Sequence, residues 1–255
     1  MENVSAFKKD LKIINYLYEA VRRLLKLFNI KYFPVLISGH KVVIRTVNQV
    51  DISVINYVFR DRYHRPYIQI INDNPVILDL GVNIGCSILD LKKEYPSAKI
   101  IGCEMDFENY ELAIKNCAKL KDVELINKAV WYKDTLVSYY KGKDSYSNPD
   151  AYTIIKDNGN NASFESAIKV NSITINSIIL LYEIKNIDYV KMDIEGAELE
   201  VMTMNNEWLQ IVKQIKIEYH RGENDADDIN RVLLSYGFNS FITFQNPSAV
   251  IAYKN

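Results

Sequence analysis

From Pro75 onward, apolar runs of five or six residues recur along the chain, each closed by a polar or glycine-bearing turn. Between them lie longer stretches whose apolar positions return every three or four residues. This pattern predicts strands at 76–80, 98–103, 122–127, 188–193 and 214–219, and helices near 84–95, 107–120, 176–184 and 197–205. Strand alternating with helix is the signature of a parallel sheet covered on both faces. After a further helix at 225–236, residues 238–244 and 249–253 read as two strands joined by Gln245-Asn246-Pro247-Ser248, a link too short for anything but an antiparallel hairpin. The expected fold is therefore α/β, with a mostly parallel sheet that ends in an antiparallel C-terminal hairpin.

Residues 1–74 follow another rhythm. Ile14, Leu17, Tyr18, Val21, Leu24, Leu25 and Phe28 recur at helical spacing, with Lys8, Lys9, Lys12, Arg22 and Arg23 mostly opposite, which predicts an amphipathic helix over 5–28. Its apolar stripe is expected to dock on a core and its basic face to stay solvated, although a basic face also suits an anionic membrane surface. A strand at 41–45 and a helix at 52–63 complete a cap ahead of a main domain spanning 75–255. That domain is interrupted at about 131–175. Leu136-Val137-Ser138-Tyr139-Tyr140 and Ile168-Lys169-Val170 alternate like strands, and Lys141 to Ser163 is rich in Asn, Asp, Ser, Gly and Tyr. An inserted hairpin or lid is expected there, and such loops often carry function. Tyr139, Tyr140, Tyr146 and Tyr152 would either stack on a ligand ring or pack locally.

Composition narrows the class. Lys and Arg total 31 against 32 for Asp and Glu in 255 residues, so no basic footprint points to nucleic acid. Cys86, Cys103 and Cys117 form no C-x-x-C pair and fall in apolar elements, which reads as buried free thiols in a reducing compartment. The start, Met1-Glu2-Asn3-Val4, lacks the build of a secretory signal, and no uncharged apolar run approaches the ~18 residues of a membrane span. A cytoplasmic protein is expected, with its oligomeric state open and a homodimer among the options.

The chemistry gathers at the strand exits. The first strand of the main domain runs into Asp79-Leu80-Gly81-Val82-Asn83-Ile84-Gly85, a glycine-punctuated turn opening a helix, where backbone can approach a ligand closely. A dinucleotide pyrophosphate calls for G-x-G-x-x-G, and Asn83 stands where the middle glycine would be, so S-adenosylmethionine (SAM), which carries no phosphate, fits better. Glu104 follows about 20 residues beyond the turn, the distance at which such folds hold a ribose diol. Asn127 to Ala129, at the exit of the third strand, are placed to flank an adenine. Further on, Asp193-Ile194-Glu195-Gly196-Ala197-Glu198 sets three carboxylates in six residues, which repel unless a cation sits among them. A sulfonium, a divalent metal or a shared proton would each answer; Glu198 also suits the first turn of a helix. Glu218 and His220 share a face at the exit of the fifth strand, and His220 is a natural general base, whereas His40 and His64 lie in the cap.

In that order and spacing, Asp79 to Gly85, Lys191-Met192-Asp193-Ile194-Glu195-Gly196-Ala197-Glu198 and Ile217-Glu218-Tyr219-His220 resemble the FkbM family of SAM-dependent methyltransferases over roughly residues 75–240. The resemblance implies a Rossmann-like class I fold and methyl transfer, most often to an oxygen of a sugar or secondary metabolite. It implies that Asp79, Gly81, Asn83, Gly85 and Glu104 hold SAM, while Asp193, Glu195 and His220 face the substrate. Many relatives carry Ala where this chain has Val82, a change that adds bulk without removing a polar role. The expected reaction is an in-line attack by a hydroxyl of a small-molecule or glycan acceptor, with His220 or Asp193 taking the proton. A Mg²⁺ ion held by Asp193 with Glu218 or His220 is an alternative, though no paired-ligand spacing demands a metal. Two rival classes stand beside it. A dehydrogenase would need Tyr-x-x-x-Lys after a suitable strand, and Tyr182-Glu183-Ile184-Lys185 has too short a gap; a non-catalytic SAM-binding scaffold would not need polar residues at three strand exits.

Overall fold

A computed structural model describes residues 20–46, 50–141, 152–154, 168–244 and 248–255. In the cap, β1 (Tyr32–Ile37) and β2 (His40–Arg45) pair antiparallel. Ser38 and Gly39 make their two-residue turn at φ 51° and 83°, the doubly left-handed conformation that matches the twist of paired strands. The sequence pattern reveals β2 but not β1. Helix α1 (Val50–Ile55) continues into a wider π-type turn over Asn56–Asp61, which Arg62 ends at φ 53°. Val42, Ile44, Ile55, Val58 and Phe59 bury against Ile84, Leu89 and Leu112 of the main domain, so the cap shares a core with the site's own turn.

The amphipathic helix enters the described residues only over 20–27, and residues 1–19 lie outside them. Of the apolar stripe within the described residues, Val21, Leu24 and Phe28 are exposed and Leu25 is half-buried. On the basic side, Arg22 donates to the Thr46 carbonyl at 3.1 Å.

The main domain begins with β3 (Val76–Leu80), α2 (Cys86–Glu94), β4 (Lys99–Cys103), α3 (Phe107–Cys117) and β5 (Val123–Ile126). The interruption supplies β6 (Ala129–Val130), β7 (Leu136–Lys141), β8 (Tyr152–Ile154) and β9 (Ile168–Ile173). Then come α4 (Ile175–Leu181), β10 (Tyr189–Met192), α5 (Glu198–Thr203), β11 (Gln214–Glu218), α6 (Glu223–Ser235), β12 (Asn239–Thr243) and β13 (Ala249–Tyr253). Seven strands form one sheet in the order β12-β13-β11-β10-β3-β4-β5. The five from β11 to β5 are parallel, and β13 runs antiparallel between β11 and β12, which is the expected hairpin finish.

Both faces of this sheet are covered, which is why its strands read as unbroken apolar runs. Ile77, Ile100 and Tyr189 pack with Ile88 and Leu91 of α2 and Ala113 of α3. Their neighbours Leu78, Ile101 and Val190 point the other way, onto Ile178 of α4, Val201 of α5 and Ile229 of α6. Chain order reverses between β3 and β10, so the strand exits part there and leave the crevice in which ligands of open α/β sheets bind.

The interruption forms a second sheet ordered β6-β9-β7-β8. Residues 142–151 and 155–167, most of the polar stretch expected to form a lid, lie outside the described residues, and Tyr146 with them. Tyr139 is 2% exposed, its hydroxyl donating to Asp106 Oδ2 at 3.3 Å, so of the two roles considered for it the structure gives local packing.

Candidate active site

A cavity of about 300 Å³ opens at the parted exits of β3 and β10 and is walled by the glycine turn, β4, β11 and the cap. At its first end, Gly81 takes φ +87° and its N–H donates to the Cys103 carbonyl at 2.9 Å. A Cβ on Gly81 would stand 1.8 Å from the Asp193 carbonyl oxygen, so the absent side chain makes room for the protein's own backbone. Gly85 has a similar cause, since a Cβ there would meet Cys117 Sγ at 3.0 Å and Ala113 Cα at 3.2 Å, between α2 and α3. Asn83 is left-handed at φ 51°, and its Oδ1 accepts from Ile84 N–H at 2.8 Å, an arrangement a short amide side chain supports well.

Glu104 is fixed by backbone from two directions. Its Oε2 accepts from Asn83 N–H at 2.7 Å and its Oε1 from Asp106 N–H at 2.8 Å. Each oxygen keeps a further lone pair on the cavity side, which suits a ribose diol. Burial drives the carboxyl up to about 7 even though both N–H donors favour its charged form.

The remaining residues of the expected cofactor set divide. Gly81, Asn83, Glu104 and Ala129 line the cavity, whereas Asp79, Gly85 and Asn127 stand behind its wall. Asp79 is fully buried; the Ser87 hydroxyl donates to it, and Lys191 Nζ lies 3.5 Å away. Asn127 uses its amide to hold the Glu104 and Met105 carbonyls at 2.9 and 3.2 Å, clamping the strand exit that presents Glu104.

At the second end, Asp193, Glu195, Glu218 and His220 meet as expected. The loop carrying the first two is left-handed at Glu195 (φ 57°) and Gly196 (φ 91°), a conformation costly for glutamate that Glu198 helps hold. Glu198 is 3% exposed, and its Oε1 accepts from Ile194 N–H and Gly196 N–H, both at 3.1 Å, and from His220 Nδ1 at 3.0 Å. It therefore does more than favour a helix start. His220 Nε2 looks onto Asp193 Oδ1 at 3.6 Å, Glu195 Oε2 at 3.7 Å and Glu218 Oε1 at 3.8 Å. Burial alone would lower the imidazole's pKa, but the Glu198 hydrogen bond and the charges of Glu198, Asp193 and Glu195 outweigh it and push it up to about 10. Burial and the Asp193 charge likewise raise the Glu218 carboxyl to about 8.

These charges favour the imidazolium form of His220 at neutral pH, in which both ring nitrogens donate. One ligand atom each from Asp193, Glu195 and His220 lie within 4.8 Å of one another, a grouping that could hold a metal ion.

Two contributors escape sequence reasoning. Lys191 is buried between Val190 and Met192, donates to the Gly81 carbonyl at 2.6 Å and stands 3.4 Å from Asp193 Oδ2. Burial opposes its charge, yet Asp193, Asp79 and Glu218 raise its pKa above the ordinary lysine value. A lysine inside an apolar strand run is the signal that marks it. Tyr63, whose hydroxyl donates to Asp193 Oδ2 at 3.2 Å, comes from the cap and carries no sequence signal at all.

A doubly wound sheet with one reversed strand near its edge, and a carboxylate beside the first glycine turn, defines the class I, Rossmann-like methyltransferase fold. The chain belongs to the FkbM methyltransferases, a SAM-dependent family: residues 79–240 match the methyltransferase FkbM domain. It is 25% identical over 232 residues to methyltransferase sdnD of Sordaria araneosa, covering 80% of this chain and 89% of that one. Among solved structures it is similar to a methyltransferase from Pyrococcus furiosus, at 13% identity and a TM-score of 0.45 over 92% of this chain and 98% of that one. It is also similar to M. capricolum TrmK in complex with S-adenosylhomocysteine (SAH), at 14% identity and a TM-score of 0.40 over 72% and 62% of the two chains. Among the described residues, no helix is long and apolar enough to cross a membrane.

Proposed function

We propose that this protein transfers a methyl group from SAM to a hydroxyl oxygen of a small-molecule or glycan acceptor. The observation that carries the reading is a single cavity with the backbone-fixed Glu104 at one end and Asp193, Glu195, Glu218 and His220 at the other. SAM, when bound, supplies an electrophilic methyl on a positively charged sulfur. Glu104 binds the ribose diol, Gly81 and Asn83 give the backbone wall, and Ala129 flanks the base. Asp79, Gly85 and Asn127 serve the same end by holding that wall in place.

The carboxylates at the far end favour a cationic sulfur over a neutral one and attract polar hydrogens of the acceptor. Asp193 takes the hydroxyl proton, a service worth about 10²–10⁴-fold. His220 fulfils its part as a cation: it binds Glu198 on one side and keeps Asp193 and Glu195 from repelling each other on the other. Glu195 orients the acceptor at the same lip. Mg²⁺ has no role in this reading, because two cationic side chains, Lys191 and His220, already answer the carboxylates.

The test is transfer from methyl-labelled SAM to a panel of glycans, nucleotide sugars and small hydroxylated metabolites, with product analysis by mass spectrometry and NMR. An O-methyl product with matching SAH release supports the proposal. A product methylated on nitrogen or carbon overturns it, and so does protein that binds NAD but not SAM.

A further inference from the structure

Tyr63 belongs to the cap, outside the residues matched to the family domain, yet it lines the cavity. Its hydroxyl donates to Asp193 Oδ2 at 3.2 Å, and Lys191 Nζ approaches the same oxygen at 3.4 Å. Asp193 Oδ1 is thereby left facing the cavity beside His220 Nε2. The ring is itself braced edge-on by His64 at 5.9 Å and Tyr57 at 6.0 Å between centroids, and His64 is tied to Asp90 of α2 at 3.0 Å. The tyrosine is thus a rigid donor fixed to the main domain.

We propose that Tyr63 is a positioning residue that aims the charge of Asp193 into the cavity, making the cap part of the methyltransferase site. The proposal rests on the SAM reading above. Two donors share one carboxylate oxygen, and the buried ammonium is the stronger. Without the phenol hydroxyl, Asp193 is free to swing both oxygens toward Lys191 and form a closer ion pair. Negative charge then withdraws from the cavity while the cavity's shape stays the same. Such a change acts on a cationic ligand and leaves a neutral one untouched. SAM and SAH share every other group and differ by the sulfur methyl and the positive charge it confers, so the change in their affinity ratio between wild type and variant reads the effect.

The experiment is calorimetric titration of SAM and SAH into the wild-type protein, Tyr63→Phe, Asp193→Asn and the double variant, with Tyr67→Phe as a control at an exposed ring away from the cavity. Tyr63→Phe keeps the packed ring, so the fold is retained. The expected result is a SAM Kd raised about tenfold with the SAH Kd within about twofold, the size expected for a lost hydrogen bond to a charged group. Because Tyr63 acts through Asp193, the double variant should bind SAM no more weakly than Asp193→Asn alone. Equal weakening of both ligands, an unchanged SAM Kd, or full additivity in the double variant overturns the positioning role. Wild-type protein that binds neither ligand overturns the SAM reading itself, and the proposal with it.

Discussion

Lowering the pH should loosen the cofactor, and the size of the effect can be worked out from Glu104. In the ligand-free site burial pushes this carboxyl up to about 7 from its ordinary value of 4.5. A ribose diol needs the charged form, because both oxygens must accept from hydroxyls while still accepting from Asn83 N–H and Asp106 N–H. The sign follows directly. Above the folded pKa the carboxylate is ready; below it a proton must leave before the diol can bind. With a midpoint near 7, about nine-tenths is ionised at pH 8 and about one-tenth at pH 6, so affinity falls about tenfold, or ~1.4 kcal/mol, across that interval. SAH is the ligand of choice because it removes the sulfonium from the comparison, and calorimetry between pH 5.5 and 8.5 reads the slope. Glu104→Gln should bind weakly at every pH, since its NH₂ must face one of the two backbone donors, at a cost of about 1–3 kcal/mol. It should also lose the slope. An affinity that is flat or rises on acidification in the wild type, or a slope that survives in Glu104→Gln, refutes the reasoning.

Other consequences are equally open to measurement. The His220 imidazole should titrate by NMR near 10 in the free protein, so its stabilising charge is present below the ordinary value of 6.5 and is lost as pH rises through about 10; a midpoint between 6 and 7 would restore it as the base. Gly81→Ala combines φ +87° with a 1.8 Å clash onto backbone and should destabilise the fold by about 3 kcal/mol or more, read as a large fall in Tm; an unchanged Tm refutes the close approach. Lys191→Met leaves Asp79 and Asp193 without their ammonium and should cost about 3–5 kcal/mol in denaturant unfolding. Exhaustive chelation should leave SAM binding and methyl transfer unchanged, whereas activity restored only by a divalent ion would assign Asp193, Glu195 and His220 to a metal.

Where burial is two-sided, the sequence spoke clearly. Apart from the paired Asp79 and Lys191, Val76 to Leu80 and Tyr189 to Met192 are apolar because helices cover both faces of the sheet, and their polar exits mark where the cover ends. Asp193, Glu195, Glu218 and His220 could be brought together for the same reason, since adjacent parallel strands must deliver their exits to one edge. Contacts between distant segments were less legible. Tyr63 and Asp193 are separated by 130 positions, and nothing local to either one names the other. Glu198 looked like a helix-start residue because that is what an acidic first turn ordinarily is; only the folded loop turns its carboxylate back to Ile194, Gly196 and His220. Gly81 was read as room for a ligand, and in the fold the space it leaves is filled by Asp193's carbonyl.

That last contact has an engineering consequence. The turn under the cofactor and the loop bearing Asp193 touch backbone to backbone with no side chain between, so they behave as one stiff part. A change of acceptor cannot be made by reshaping that loop without disturbing the glycine turn, the proposed seat of the cofactor. Freedom to vary lies in the parts bolted around it, the cap with Val54 and Tyr57 but not Tyr63, and the chain interrupting the domain after β6. Exchanging those segments between relatives, while keeping Tyr63 and residues 79–85 and 190–196 intact, is the route by which one methyl-transferring engine should accept new substrates.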